Sequence, residues 1–146
     1  MSESPPAKSP VKQSAWLGIA VGWLSQLGLK TLLPVIALVG IRSWSSLTQN
    51  PAMWLEHADD SSHPGWYVLQ ASVFAGSAVA GALAAMLSPR RAFVVPAALV
   101  MLSLLATFFE QFPRPLSVAV ALVWAGGPCV GLVGGWLLAR WRMTPR

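Results

Sequence analysis

The chain is poor in groups that do chemistry. One cysteine, Cys129, stands in 146 residues, which excludes an intrachain disulfide and a zinc site built on thiolates. Two histidines (His57, His63) and five acidic residues are the rest of the usual metal-ligand and acid–base stock. Charged residues make up 10% of the chain, against about 25% in a soluble domain. No aspartate or glutamate falls within any long apolar run. Phosphate-binding, dinucleotide and nucleophile-elbow signatures are also missing, because the glycines lie inside apolar runs rather than between a strand and a helix.

Apolar sequence is what the chain has in excess: 55% of its residues are hydrophobic and its mean hydropathy is +0.58. The run Trp16 to Ile41 alone is 26 residues, roughly 39 Å as a helix against a hydrocarbon core of roughly 30 Å. The expected fold is all-α and polytopic, with four antiparallel transmembrane helices over residues 16–41, 66–87, 92–109 and 116–139. Together they make one transmembrane domain, residues 15–141, followed by a short basic cytoplasmic tail, 142–146. Residues 1–14 are rich in Ser, Pro and Lys and read as a disordered cytoplasmic tail. The lysines resemble a signal-peptide n-region, but the run that follows is too long, contains Gln26 and Lys30, and lacks a small-residue cleavage site. An uncleaved span is expected.

The outer loop, 42–65, contains Asn50 followed by Pro51, a helix-start pair. A short interfacial helix, Pro51 to Ala58, would lay Met53, Trp54 and Leu55 on the membrane surface. Trp44, Trp54, Trp66 and Tyr67 would complete an aromatic belt. Beside the spans, Lys8, Lys12, Arg90, Arg91, Arg140, Arg142 and Arg146 collect on one side, and only Arg42 and Arg114 on the other. The positive-inside rule then places both termini in the cytoplasm, most simply of a bacterial inner membrane. The net charge of +5 is therefore a topology signal, since the bases form no patch beside aromatic stacking platforms, and no nucleic-acid partner is expected.

Helices in lipid gain little from burying apolar surface against each other, so small residues that let backbones approach do much of the work. The first span offers Gly18 and Gly22. The second offers Ser72, Gly76, Ala80, Ala84 and, beside them, Ser77, Gly81, Ala85. The fourth offers Gly127, Gly131 and Gly135, with Gly126 and Gly134 alongside. The third span is bulky and plain. Spans one, two and four should therefore pack together while span three faces lipid. Pro34 and Pro128 each remove a backbone donor in mid-span, freeing the carbonyls of Lys30 and Trp124 and bending the helix.

Every fourth residue from Gly18 gives Gly18, Gly22, Gln26, Lys30 and Pro34, one ridge of one helix face. A lysine near mid-membrane costs about 2.5–3.5 kcal/mol on insertion scales and turns toward protein or water. Two readings of the patch Gln26, Lys30 and Pro34 stay open: a structural or snorkelling lysine, or contact with an ion or substrate. Glu110 is the only plausible carboxylate partner of Lys30, and Gln26 the neutral one. In the outer loop Glu56, His57, Asp59, Asp60 and His63 fit no metal-ligand spacing and read as a solvated acidic loop. Cys129, with no base or cation beside it, reads as an inert small hydrophobe.

The stretch Gly81-Ala-Leu-Ala-Ala-Met-Leu-Ser-Pro-Arg90-Arg91 resembles the loop motif that follows the second helix of major-facilitator transporters, with Ala85 standing near the place of the motif's aspartate. The chain as a whole is similar in composition to small four-span bacterial inner-membrane proteins. The first resemblance implies transport and the second assigns no site. The expected function is that of a non-enzymatic integral membrane protein acting through helix packing, an accessory or assembly subunit. Its partners would be the lipid bilayer and another membrane protein or a second copy of itself, with no cofactor and no metal. The alternative is a small oligomeric transporter or channel-like subunit with a polar path at Gln26, Lys30 and Pro34. A membrane enzyme using His57 and His63 comes third.

Overall fold

The computed structural model describes residues 14–44, 64–89, 92–111 and 118–143, and all its regular elements there are helices. They are α1 (Ala15–Trp44), α2 (Pro64–Leu87), α3 (Val94–Gln111) and α4 (Val118–Met143). The expected outer-loop helix lies outside the described residues. Three stretches are long and apolar enough to cross a membrane: Ala15–Ala37, Gly65–Leu87 and Val120–Met143. The apolar part of α3, Val94–Phe109, is shorter; 16 residues make about 24 Å of helix.

Helix ends depart from the expected boundaries for local reasons. Pro64 opens α2, a position where its missing N–H is no loss. α3 starts at Val94 rather than Ala92 because a turn intervenes, with the Ala92 amide donating to the Pro89 carbonyl (3.1 Å) and the Val95 amide to that of Ala92 (3.1 Å). α4 continues past Ala139 to Met143, carrying Arg140 and Arg142 in its last turn, where cations complement the helix dipole. Both α1 and α4 run unbroken through their prolines, Pro34 and Pro128.

α2 is the middle of the bundle, packed along its length against α1 on one side and α4 on the other. α3 closes the ring by touching α4 and α1, and meets α2 only slightly. Among the described residues α1 and α4 make no close backbone approach, so the expected three-way packing of spans one, two and four resolves into two separate interfaces on α2. Contacts give the directions. Gly18 faces Ser88 while Gly76 faces Leu29, so α1 and α2 are antiparallel. Gly131 faces Ser77 and Arg140 reaches Ser88, so α2 and α4 are parallel. Gly22 faces Leu99 and Gln26 bonds Ser103, so α1 and α3 are parallel too.

The core is made of small residues. Ala80, Ala84, Val95, Leu99 and Leu132 are buried together, with Ala15, Ile19, Trp23 and Ala92 against them. Ala85, Trp136 and Ala139 form a second cluster nearer the basic end. Large apolar side chains such as Leu24, Ile36, Met101, Phe109, Leu122 and Trp141 point outward. That inversion suits a solvent of lipid tails, which are as apolar as leucine.

Arg140 fastens the basic end. Its Nη2 donates to the carbonyls of Ser88 (3.0 Å) and Pro89 (2.7 Å), and its guanidinium lies 5.1 Å from the centre of the Trp136 ring. The first of those carbonyls belongs to the exit of α2, where helix geometry leaves acceptors without partners. Phe93 packs on the same indole at 5.7 Å. We expect Arg140→Met to lower stability by about 2 kcal/mol, from two charge-assisted hydrogen bonds and a cation–π contact partly offset by local hydration. Arg140→Lys, which keeps the charge and loses the fork, should recover no more than half. Thermal unfolding in a fixed detergent measures both.

Candidate functional site

Two kinds of residue were candidates, the glycines of the seams and the polar ladder of α1, and the structure treats them differently. At Gly81 an added Cβ would run into the Leu132 carbonyl, and at Gly135 into the Ala78 carbonyl. At Gly131 it would lie 2.7 Å from the Phe74 carbonyl oxygen. These obstacles are backbone, so the α2–α4 seam cannot yield by turning a side chain. On the α1 side, Gly18 meets Ser88, Gly22 meets Ala84 and Leu99 at 2.9 Å, and Gly76 meets Leu29 at 3.0 Å.

Gly127 behaves otherwise. Nothing lies within 4 Å of a Cβ placed there, nor at Gly126 or Gly134. It does not belong to an internal seam, although the four-residue spacing puts it in line with Gly131 and Gly135. Its position immediately before Pro128 supplies a local reason, since a Cβ there crowds the proline ring in helical conformation.

The ladder on α1 is buried at Gly18, Gly22, Gln26 and Pro34 and half-buried at Lys30. Gln26 is 3% exposed. Its Nε2 donates to Ser103 Oγ on α3 at 2.9 Å and to Ser77 Oγ on α2 at 3.4 Å, so one amide ties three helices. Its Oε1 is buried and has no hydrogen-bond partner among the described residues. Beside it is a cavity of about 10 Å³ lined by Gln26, Lys30 and Ser103, with Trp23, Leu27, Ala106 and Pro128 as apolar walls. Gln26 and Lys30 are therefore brought together, whereas Pro34 does not line this space. Pro128 of α4 does.

Ser103 and Thr107 are the residues that sequence reading missed. Both are buried, as are Val95 and Leu99, and the four recur at every fourth position of α3. A signal existed: two hydroxyl residues one turn apart on an otherwise plain helix mark its inward ridge. The α3 ridge runs parallel to the ladder on α1, with Leu99 beside Gly22 and Ser103 beside Gln26. The next step of the two ladders is Lys30 and Thr107.

Other candidates stand apart from this cluster. Cys129 is a free, half-buried thiol on α4. Glu56, His57, Asp59, Asp60 and His63 lie outside the described residues, and Glu110 is in the last turn of α3. Among the described residues no three of His, Cys, Asp and Glu gather to hold a metal ion. No known protein family, curated protein or solved structure matches the chain.

Two outcomes follow. Gly81→Val, which drives methyls into the Leu132 backbone, should destabilise by about 3 kcal/mol, while Gly134→Ala should be neutral or stabilise by up to about 1 kcal/mol. Equal effects on the thermal midpoint would remove the seam as the cause. For the polar node, Gln26→Leu should cost less than about 1 kcal/mol, because an apolar side chain of like shape replaces the amide and both serines can bond their own helix. A double-mutant cycle with Ser103→Ala should give a coupling of about 0.6 kcal/mol, the average for hydrogen bonds between membrane helices.

Proposed function

We propose that this chain is a non-enzymatic integral membrane protein that acts through helix packing, as an accessory or assembly subunit for another membrane protein or a second copy of itself. The observation that carries the reading is the closure of the polar node. Gln26, a buried polar residue, holds α1, α2 and α3 together, and the space beside it is about 10 Å³. That is the volume of one probe sphere of water size, not a path for a solute. Glycines with open space beside them, Gly126 and Gly134, lie on α4 with exposed Val130 and Leu137, and this is the face offered outward.

In this reading all four helices cross the bilayer. The apolar part of α3 is short, and what supports its crossing is its register beside α1, with Leu99 at Gly22 and Ser103 at Gln26. The basic ends at Arg140 and Arg142 face the cytoplasm of a bacterial inner membrane, with both termini inside and an interfacial helix in the outer loop.

The rival, an oligomeric transporter or channel-like subunit using Gln26, Lys30 and Pro34, is separated by one pair of measurements. After reconstitution into vesicles, the chain should pass no more ions than protein-free vesicles do, and Lys30→Leu should change nothing. A leak abolished by Lys30→Leu at equal protein level would replace the packing reading with the transport one. In mild detergent the tagged chain should run as a complex with a membrane protein or with itself. Gly134→Leu should strip that partner while leaving the thermal midpoint of the chain unchanged. A chain that stays monomeric at every gentle extraction condition would sink the packing reading.

A further inference from the structure

We infer that the crevice between α1, α3 and α4 is a binding site for one water molecule, held at mid-helix by Gln26 and Ser103. Three observations converge on it. Gln26 Oε1 is buried and accepts no hydrogen bond from any described residue, a state that costs about 1–3 kcal/mol if left so. Ser103, 4% exposed, accepts from Gln26 Nε2 and keeps its own hydroxyl proton to donate. Both residues line a cavity of about 10 Å³, the least space that holds a water.

The chemistry balances on these groups. Water donates one hydrogen bond to Gln26 Oε1. It accepts one from the Ser103 hydroxyl, and Lys30 lines the same space one turn along α1. Two to four polar partners is the usual complement of a buried water. Trp23, Leu27, Ala106 and Pro128 wall the rest and leave no room for a second molecule or a larger solute. The bound water is a property beyond the packing role proposed above, and its presence does not depend on any partner.

The test uses the full chain in lipid nanodiscs. In water-edited solid-state NMR, the assigned Gln26 side-chain amide should gain magnetisation from water several-fold faster than the backbone amides of Leu99 and Leu132, which are each 1% exposed. Equal rates would overturn the site. Ala106→Val supplies an independent readout, because it fills the cavity. If water is expelled and Oε1 stranded, the thermal midpoint should fall by several degrees in the native background. The same substitution in a Gln26→Leu background should raise it or leave it unchanged, since filling a dry void there strands nothing. The same shift in both backgrounds, of either sign, would show that Ala106→Val acts by packing alone and that no water is held.

Discussion

Backbone-to-backbone approach along α2 is the constraint on which the rest of the bundle depends. A helix in lipid gains nothing from hiding leucine against leucine, so the stabilising terms left are dispersion at close range and a few polar bonds. Gly81 lies on the Leu132 carbonyl and Gly135 on the Ala78 carbonyl, so each helix of this pair supplies a glycine to receive the other's backbone. Gly18 and Gly76 bring α1 and α2 close, against Ser88 and Leu29, and Gly22 receives the side chains of Ala84 on α2 and Leu99 on α3. α2 is richest in small residues because it alone has two partners along its length. α3 has none of these close seams and keeps its bulk.

Small-residue ladders have a weakness that the polar bonds correct. Gly18 and Gly22, or Gly76, Ala80 and Ala84, repeat every turn, so sliding one helix by a turn exchanges one small pair for another at little cost. Gln26 reduces that degeneracy, because a slip of one turn would carry its amide away from Ser77 and Ser103 and, in one direction, leave it beside Leu99. Arg140 does the same for α2 and α4 from the basic end, where its Nη2 meets the Ser88 and Pro89 carbonyls in a single register. Each interface of α2 thus has many weak contacts that set distance and one polar contact that sets register.

Much of this was legible in the residues, and the parts that were not share a cause. Apolar length gave the long helices, since it follows from the bilayer and needs no knowledge of neighbours. The small ridges at Gly18, Gly22, Gly76, Gly81, Gly131 and Gly135 were likewise visible. A ridge says that something comes close without naming what, so the separation of α1 from α4 could not be read from it. Gly127 fell in line by spacing, but Pro128 accounts for it locally. Ser103 was overlooked because one serine in a plain helix commonly bonds its own backbone. Only its pairing with Thr107 on one ridge, opposite Gln26, distinguishes it. Arg140 counted as a topology charge, and its reach to α2 needed the parallel packing of α2 and α4.

α3 is the most loosely held helix of the ring, and that follows from the same physics. Phe93 against Trp136 is a tilted ring contact that fixes no register. Towards the other end α3 and α4 diverge around an apolar groove lined by residues such as Met101, Leu105, Phe108, Val118 and Leu122. α3 is therefore held mainly by Ser103 on Gln26 and by the burial of Val95 and Leu99. Removing the Gln26 amide would loosen α3 before it loosened α2, because α2 retains its glycine seams to both neighbours and α3 has no seam to fall back on.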